Sequence, residues 1–166
     1  MTVTKIIDYV RQEHCVPELA AVSREEAIRE LAERFVASGA LSSAERTLLL
    51  ESVFEREEAA TTGIGNGVAL PHPKHAQDVS HLDHMLIAVG LRSRGVDFGA
   101  PDGEPVKIVF LVASPDNVEY LEVAKRIAAL AKAGAKQEKW RRVLKQSRTP
   151  AAIREALQDA WEELAP

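Results

Sequence analysis

The run "VKIVFLV", residues 106–112, constrains this chain most, because every residue in it except Lys107 is apolar. A segment so short and so continuous reads as a strand covered on both faces. "GVAL" at 67–70 and "HMLIAVGL" at 84–91 are two further apolar runs bounded by Gly, Pro or Asp, and they also read as strands. "FGAPDGEPV" is a turn-rich link before the central run, with Asp102-Gly103 as a turn.

Helical periods flank these strands. "SREEAIRELAERFVASGAL" opens on Ser23 with Glu26 three residues on, a capping-box pattern. Its apolar face is Ala27, Ile28, Leu31, Phe35 and Val36, and Gly39 ends it. "SSAERTLLLESVFEREEAA" begins with a second box, Ser42 and Glu45, and buries Leu49, Val53 and Phe54. After Pro115, Val118, Leu121, Ala124, Ala128 and Ala131 make one stripe, widened by Ile127 and Leu130. A glycine near residue 134 marks a loop, and "KQEKWRRVLKQ" reads as another short helix. "TPAAIREALQDAWEEL" has Thr149 as N-cap, Pro150 as first helical residue, and Ile153, Leu157, Trp161 and Leu164 as its apolar face. Trp140 and Trp161 stand at helical spacing with leucines and read as packing residues. Helices on both sides of a strand-rich centre predict a three-layer α/β/α sandwich, with residues 1–166 forming one domain.

Composition narrows the function. At 166 residues, 46 % apolar and 28 % charged, the chain fits an ordinary globular domain that needs no staple. A net charge of −4 gives no nucleic-acid footprint, and the basic run "KQEKWRRVLKQSR" reads as the solvated face of a helix. Cys15 is the lone cysteine and reads as buried and apolar. His14 beside it reads as a surface or packing residue. The N-terminus lacks a signal-peptide core, and no apolar run approaches the roughly 20 residues of a membrane span. A cytoplasmic protein is expected, without membrane insertion.

The chemistry concentrates in "TTGIGNGVALPHPKHAQD", residues 61–78. The glycines alone are a weak signal. A dinucleotide fingerprint needs a strand before them and a helix after, and here the order is reversed. A glycine turn feeding a strand is the plain alternative. His72 is more specific. Pro71 and Pro73 hold the preceding residues extended, which fixes an imidazole at a strand end, where α/β sheets carry ligands. Gly63, Gly65 and Gly67 admit close backbone approach and could turn N–H groups toward an anion, and Thr61 and Thr62 add hydroxyls. Arg56, at the end of the preceding helix, adds a planar phosphate-binding cation. That set suits a histidine that carries a phosphoryl group.

"ERE…TTGIGNGVALPH", with "GVDFGAPDGEPVKIVFLVASP", resembles the fructose/mannitol class of enzyme IIA in the bacterial phosphoenolpyruvate:sugar phosphotransferase system, which includes stand-alone nitrogen-regulatory members. The resemblance covers most of the chain. It implies a mixed sheet of about five strands, His72 as phosphoryl acceptor and Arg56 as phosphate-binding residue. It also implies a phosphocarrier partner, HPr or a nitrogen-branch relative, and an enzyme IIB or a regulatory target downstream. Such transfer between imidazoles needs alignment and charge compensation, and no cofactor or metal is expected. The family's usual second active-site histidine is missing, and Tyr120 falls at its place, as a positioning or a packing residue. Without attached IIB or IIC segments, the chain leans toward regulation. Two other readings stand: an interaction module of the same fold that is not phosphorylated, and a zinc enzyme using His72, His75, His81 and His84 with Asp78 and Asp83. The remaining charged runs, including "ESVFEREEAA" apart from Arg56, read as exposed helical faces.

Overall fold

A computed structural model describes residues 6–136 and 146–164. A 3-10 turn, Ile6–Tyr9, leads into strand β1 (Val10–Val16). Helices α1 (Arg24–Ala37) and α2 (Ser43–Ala59) follow, then the hairpin of β2 (Gly63–Gly65) and β3 (Val68–Ala69). Strands β4 (Leu86–Val96) and β5 (Val106–Ala113) complete the sheet. Helices α3 (Asn117–Lys136) and α4 (Pro150–Leu164) close the described chain.

The five strands run in the order β1-β4-β5-β3-β2. β1 is parallel to β4 and β3 is parallel to β5, while β4–β5 and β2–β3 are antiparallel. The sheet is therefore mixed, as the resemblance implied. β5 sits at its centre, and its alternate residues feed two cores. Ile108, Phe110 and Val112 face α3 and α4, meeting Val123, Ile127, Leu130, Ile153, Leu157 and Trp161. Val109, Leu111 and Ala113 face α1 and α2, meeting Ile28, Leu31, Phe35, Leu49 and Val53. The continuous apolar run of the sequence has this double burial as its cause, and the result is the expected three layers.

Local signals set the helix ends. Ser42 and Glu45 form a full capping box, with Glu45 N donating to Ser42 Oγ at 3.1 Å and Ser42 N to Glu45 Oε1 at 2.9 Å. Ser23 caps α1 by accepting from Glu26 N, but the Glu26 carboxylate reaches the N–H of Val22 instead of closing the box. Gly39, at φ +82°, ends α1 in the left-handed region.

One strand has no counterpart in the sequence reading, and two expectations change. β1 carries no clear strand period, since "VRQEHCV" is held by its pairing with β4 and by α4 behind it. Gly134 lies inside α3 and marks no loop. The buried stripe of α3 is Val123, Ile127, Leu130 and Ala131, with Tyr120 partly buried against the same core, whereas Val118 and Leu121 are 73 % and 50 % exposed. The helix is rotated about its axis relative to the predicted face, because the larger residues Ile127 and Leu130 choose the side that meets the sheet. The helix read at "KQEKWRRVLKQ" spans residues 136–146, of which 137–145, with Trp140, lie outside the described residues.

Candidate functional site

β3 is only two residues long, and the chain beyond it stays extended through Leu70, Pro71 and His72. Two backbone bonds hold that extension: Leu70 N donates to Thr62 O at 2.9 Å, and Val112 N donates to Pro71 O at 3.1 Å. His72 is thereby fixed where β5 ends and α3 begins. Its Nδ1 lies 2.8 Å from the carbonyl oxygen of Leu70. A carbonyl only accepts, so Nδ1 carries the proton and donates, and Nε2 keeps its lone pair. Burial lowers the pKa of the ring, the Leu70 bond opposes this, and the Arg56 charge adds to the lowering. The neutral imidazole is the form favoured at neutral pH.

His72 lines a small recess of about 70 Å³ together with Pro73, Lys74, Ala76, Ser114, Asn117 and Tyr120. The Tyr120 ring lies against the His72 ring, centroid to centroid 4.6 Å, with planes 31° apart. Burial pushes the phenol pKa up to about 12 although Arg56 pulls it down, so Tyr120 stays a neutral hydroxyl. The structure thus brings His72 and Tyr120 together, while Arg56 does not line the recess and acts on both rings as a charge from outside it. Arg56 sits in the last turn of α2 and donates from Nη1 to Ala60 O at 2.8 Å.

Several residues were not legible as site residues. Glu57 was read as part of an exposed face, yet it is 4 % exposed. Its carboxylate accepts from the Thr62 N–H at 3.2 Å and from the Thr62 hydroxyl, and Arg24 Nη1 lies 3.8 Å away. It anchors Thr62, whose carbonyl holds Leu70, whose carbonyl in turn orients His72. Its signal in the sequence was its place beside Arg56, one helical turn before the chain turns back as β2. Ser52 does similar work on the other side of the histidine: its Oγ accepts from Lys74 N and donates to Asp78 Oδ2 at 2.6 Å. The exposed Lys74 Nζ pairs with Glu55 at 2.8 Å.

The glycines and threonines are placed otherwise than an anion cradle requires. Gly65, Asn66 and Gly67 all have positive φ and form the β2–β3 turn, at the opposite end of β3 from His72. The Gly67 carbonyl accepts from Lys107 N and Ile108 N, and Asn66 N donates to Asp102. Gly63 is needed for a close approach, since a Cβ there would stand 3.0 Å from Ala100 Cβ. The Thr61 hydroxyl donates to Phe98 O and the Thr62 hydroxyl to Glu57. The plain reading of the glycines as a turn is the one the backbone supports.

The other histidines scatter. His75 precedes a 3-10 turn (Ala76–Val79) without a side-chain cap bond, and His81 Nε2 lies 3.1 Å from Glu45. His84 is exposed. Among the described residues no three His, Cys, Asp or Glu side chains gather as metal donors, so the zinc reading has no ligand set there.

Comparison with known proteins returns one family. The description "Phosphoenolpyruvate-dependent sugar phosphotransferase system, EIIA 2" matches residues 8–160. A "Nitrogen regulatory protein" of Bradyrhizobium diazoefficiens is 32 % identical over 127 residues, 75 % of this chain and 78 % of that one. A "PTS system fructose-specific EIIABC component" of Bacillus subtilis is 35 % identical over 88 residues, 52 % of this chain but 13 % of that much longer one. The crystal structure of nitrogen regulatory protein IIA-Ntr from Neisseria meningitidis superposes with a TM-score of 0.72 at 28 % identity, covering 92 % of this chain and 98 % of that one.

Proposed function

This chain belongs to the EIIA 2 family of the phosphoenolpyruvate-dependent sugar phosphotransferase system, and on that premise we propose that it carries a phosphoryl group on Nε2 of His72. The observation that carries the reading is the 2.8 Å contact of Nδ1 with the Leu70 carbonyl, which leaves Nε2 with its lone pair on a side chain that lines the recess. Nε2 attacks the phosphorus of a phosphohistidine on the donor. The N–P bond of the donor breaks, its electron pair returns to the donor imidazole, and the new Nε2–P bond forms. Little is asked of the protein except alignment and charge compensation.

Arg56 supplies the compensating charge, since its field already acts on both rings of the recess. α3 begins at Asn117 in the wall of the recess, so the positive end of that helix faces the same space. Tyr120 takes the place of a second histidine as a neutral positioning group. Its ring restrains the His72 plane, and its phenol is a donor that stays protonated. The partners are an HPr-like phosphocarrier on the donor side and an enzyme IIB or a regulatory protein on the acceptor side. Val118 and Leu121, exposed on the first turns of α3 next to the recess, supply an apolar contact for whichever partner is docked. The likeness to a nitrogen regulatory protein over most of both chains favours the regulatory role. No helix among the described residues is long and apolar enough to cross a membrane, and a cytoplasmic site of action is part of the same reading.

The test is incubation with phosphoenolpyruvate, enzyme I and a phosphocarrier, read by mass spectrometry at neutral or alkaline pH. One added phosphoryl group, mapped to His72, is expected. An unmodified mass would leave the chain an interaction module of this fold.

A further inference from the structure

Lys107 is the single polar residue in the run "VKIVFLV", and phosphoryl transfer at His72 gives it no task. It lies at the start of β5, whereas His72 lies beyond the end of β3, the strand parallel to β5. The two residues therefore stand at opposite ends of the parallel strands β3 and β5. At the Lys107 end the structure holds a cavity of about 680 Å³, within the range of small-molecule sites. Its floor is the buried pair Leu91 and Ile108. The ends of β1 and β4, the link before β5 and the β2–β3 turn wall it.

Charge in this cavity is not evenly available. Glu18 accepts from the Ser93 N–H and from its hydroxyl. Asp102 accepts from Asn66 N and Glu104 N. Those two carboxylates are turned onto backbone amides. Arg92 donates to the neutral carbonyls of Leu19 and Gly95, so no carboxylate cancels its charge. Among the described residues no carboxylate pairs with the Lys107 ammonium either. Exposed Glu104 and Arg148 add one charge of each sign to the lining, so the apolar floor and the two cations outside ion pairs, Lys107 and Arg92, define the complement.

We propose that this cavity binds a small organic anion, a carboxylate or phosphate on a compact apolar body, with Lys107 as the residue that selects the charge. The body rests on Leu91 and Ile108, and the anionic group meets Lys107 with Arg92 beside it. The site is independent of the phosphoryl site.

The experiment titrates isotope-labelled protein with phenyl phosphate, and in parallel with inorganic phosphate and with benzyl alcohol, following backbone amides by NMR. Phenyl phosphate is expected to shift Gly67, Ser93 and Lys107 saturably, at lower concentration than either of its halves. Lys107→Gln should weaken it about tenfold or more, as loss of one charge-assisted contact predicts, and Lys107→Arg should keep most of the affinity. His72→Ala should bind the probe as the wild type does. Lys107→Gln should take up phosphoryl groups at the wild-type rate, so this proposal and the phosphoryl reading fail separately. Shifts centred on the His72–Tyr120 recess, no saturable shift at the cavity, or unchanged affinity in Lys107→Gln would each overturn the proposal.

Discussion

His14 and His72 are both held below the ordinary imidazole pKa by burial, but they are built into different surroundings. His14 is fully buried between β1 and α1. Its ring meets Phe35 edge-on at 4.9 Å, and its Nε2 lies 2.7 Å from Ser38 Oγ. Ser38 Oγ donates onward to Phe35 O, so it accepts from His14, and Nδ1 is left in the core without a partner. His72 is turned the other way. Its Nδ1 is tied to backbone, its Nε2 is left with the lone pair, and its side chain lines a recess with Tyr120. Desolvation alone therefore does not make a nucleophile. The free nitrogen must also face a space that a phosphoryl group can enter, beside a cation.

The widest separation of the two should come from removing each ring. His72→Ala should abolish phosphoryl uptake, and His14→Gln should take up the group as the wild type does. A phosphorylated mass that persists in His72→Ala would break the contrast outright.

Acid should separate them next. The folded pKa of His14 is lowered to about 4, against about 6.5 in the unfolded chain. Between those values the unfolded state binds the extra proton, so the stabilisation is complete above pH 6.5 and is lost as the pH falls to 4. The loss is about 3 kcal/mol, measurable by denaturant titration at several pH values as the difference between wild type and His14→Gln. His72 shifts in the same direction, so its Nε2 should stay a competent acceptor to a lower pH than an unburied imidazole would. Equal pH slopes for wild type and His14→Gln would show that water reaches Nδ1.

The cation is the next difference. Arg56→Ala should leave the fold intact and slow phosphoryl uptake by about 2–3 kcal/mol in barrier, roughly 30- to 150-fold, with Arg56→Lys a partial rescue. A wild-type rate would mean that the Ala60 carbonyl bond is all that Arg56 provides.

Tyr120 should give the smallest effect. Tyr120→Phe keeps the ring that lies on His72 and removes only the hydroxyl, at about 1 kcal/mol or a few-fold in rate. Tyr120→Ala should cost more, because the ring contact goes too. Equal rates in Tyr120→Phe and wild type would assign the whole role to the ring.

Much of this was legible in the chain itself. The change of period from helix to strand and back gave the layers, because amphipathic spacing reports which side of an element is buried. Pro71 and Pro73 marked His72 as a stiffened strand end, since a proline acts on its immediate neighbour. Gly39 and the Ser42–Glu45 box marked helix ends for the same local reason. The misreadings have a common cause in distance along the chain. Val118 and Leu121 fit a stripe that competes with Ile127 and Leu130, and only the sheet decides between two faces of one helix. Glu57 looked solvated because its partner Thr62 becomes a neighbour only once α2 ends and the chain turns back.

The sequence by itself determined the four helices in outline, the strands β3 to β5, the double burial of β5 and the extended backbone at His72. These follow from sterics and from hydrophobic spacing over a few residues. The tertiary structure alone decided which nitrogen of His72 is free and that Tyr120 lies against it. It also placed Gly65 and Gly67 at the far end of β3. A hydrogen-bond partner or a buried face is set by whatever another element brings within a few ångströms, and no local spacing encodes that.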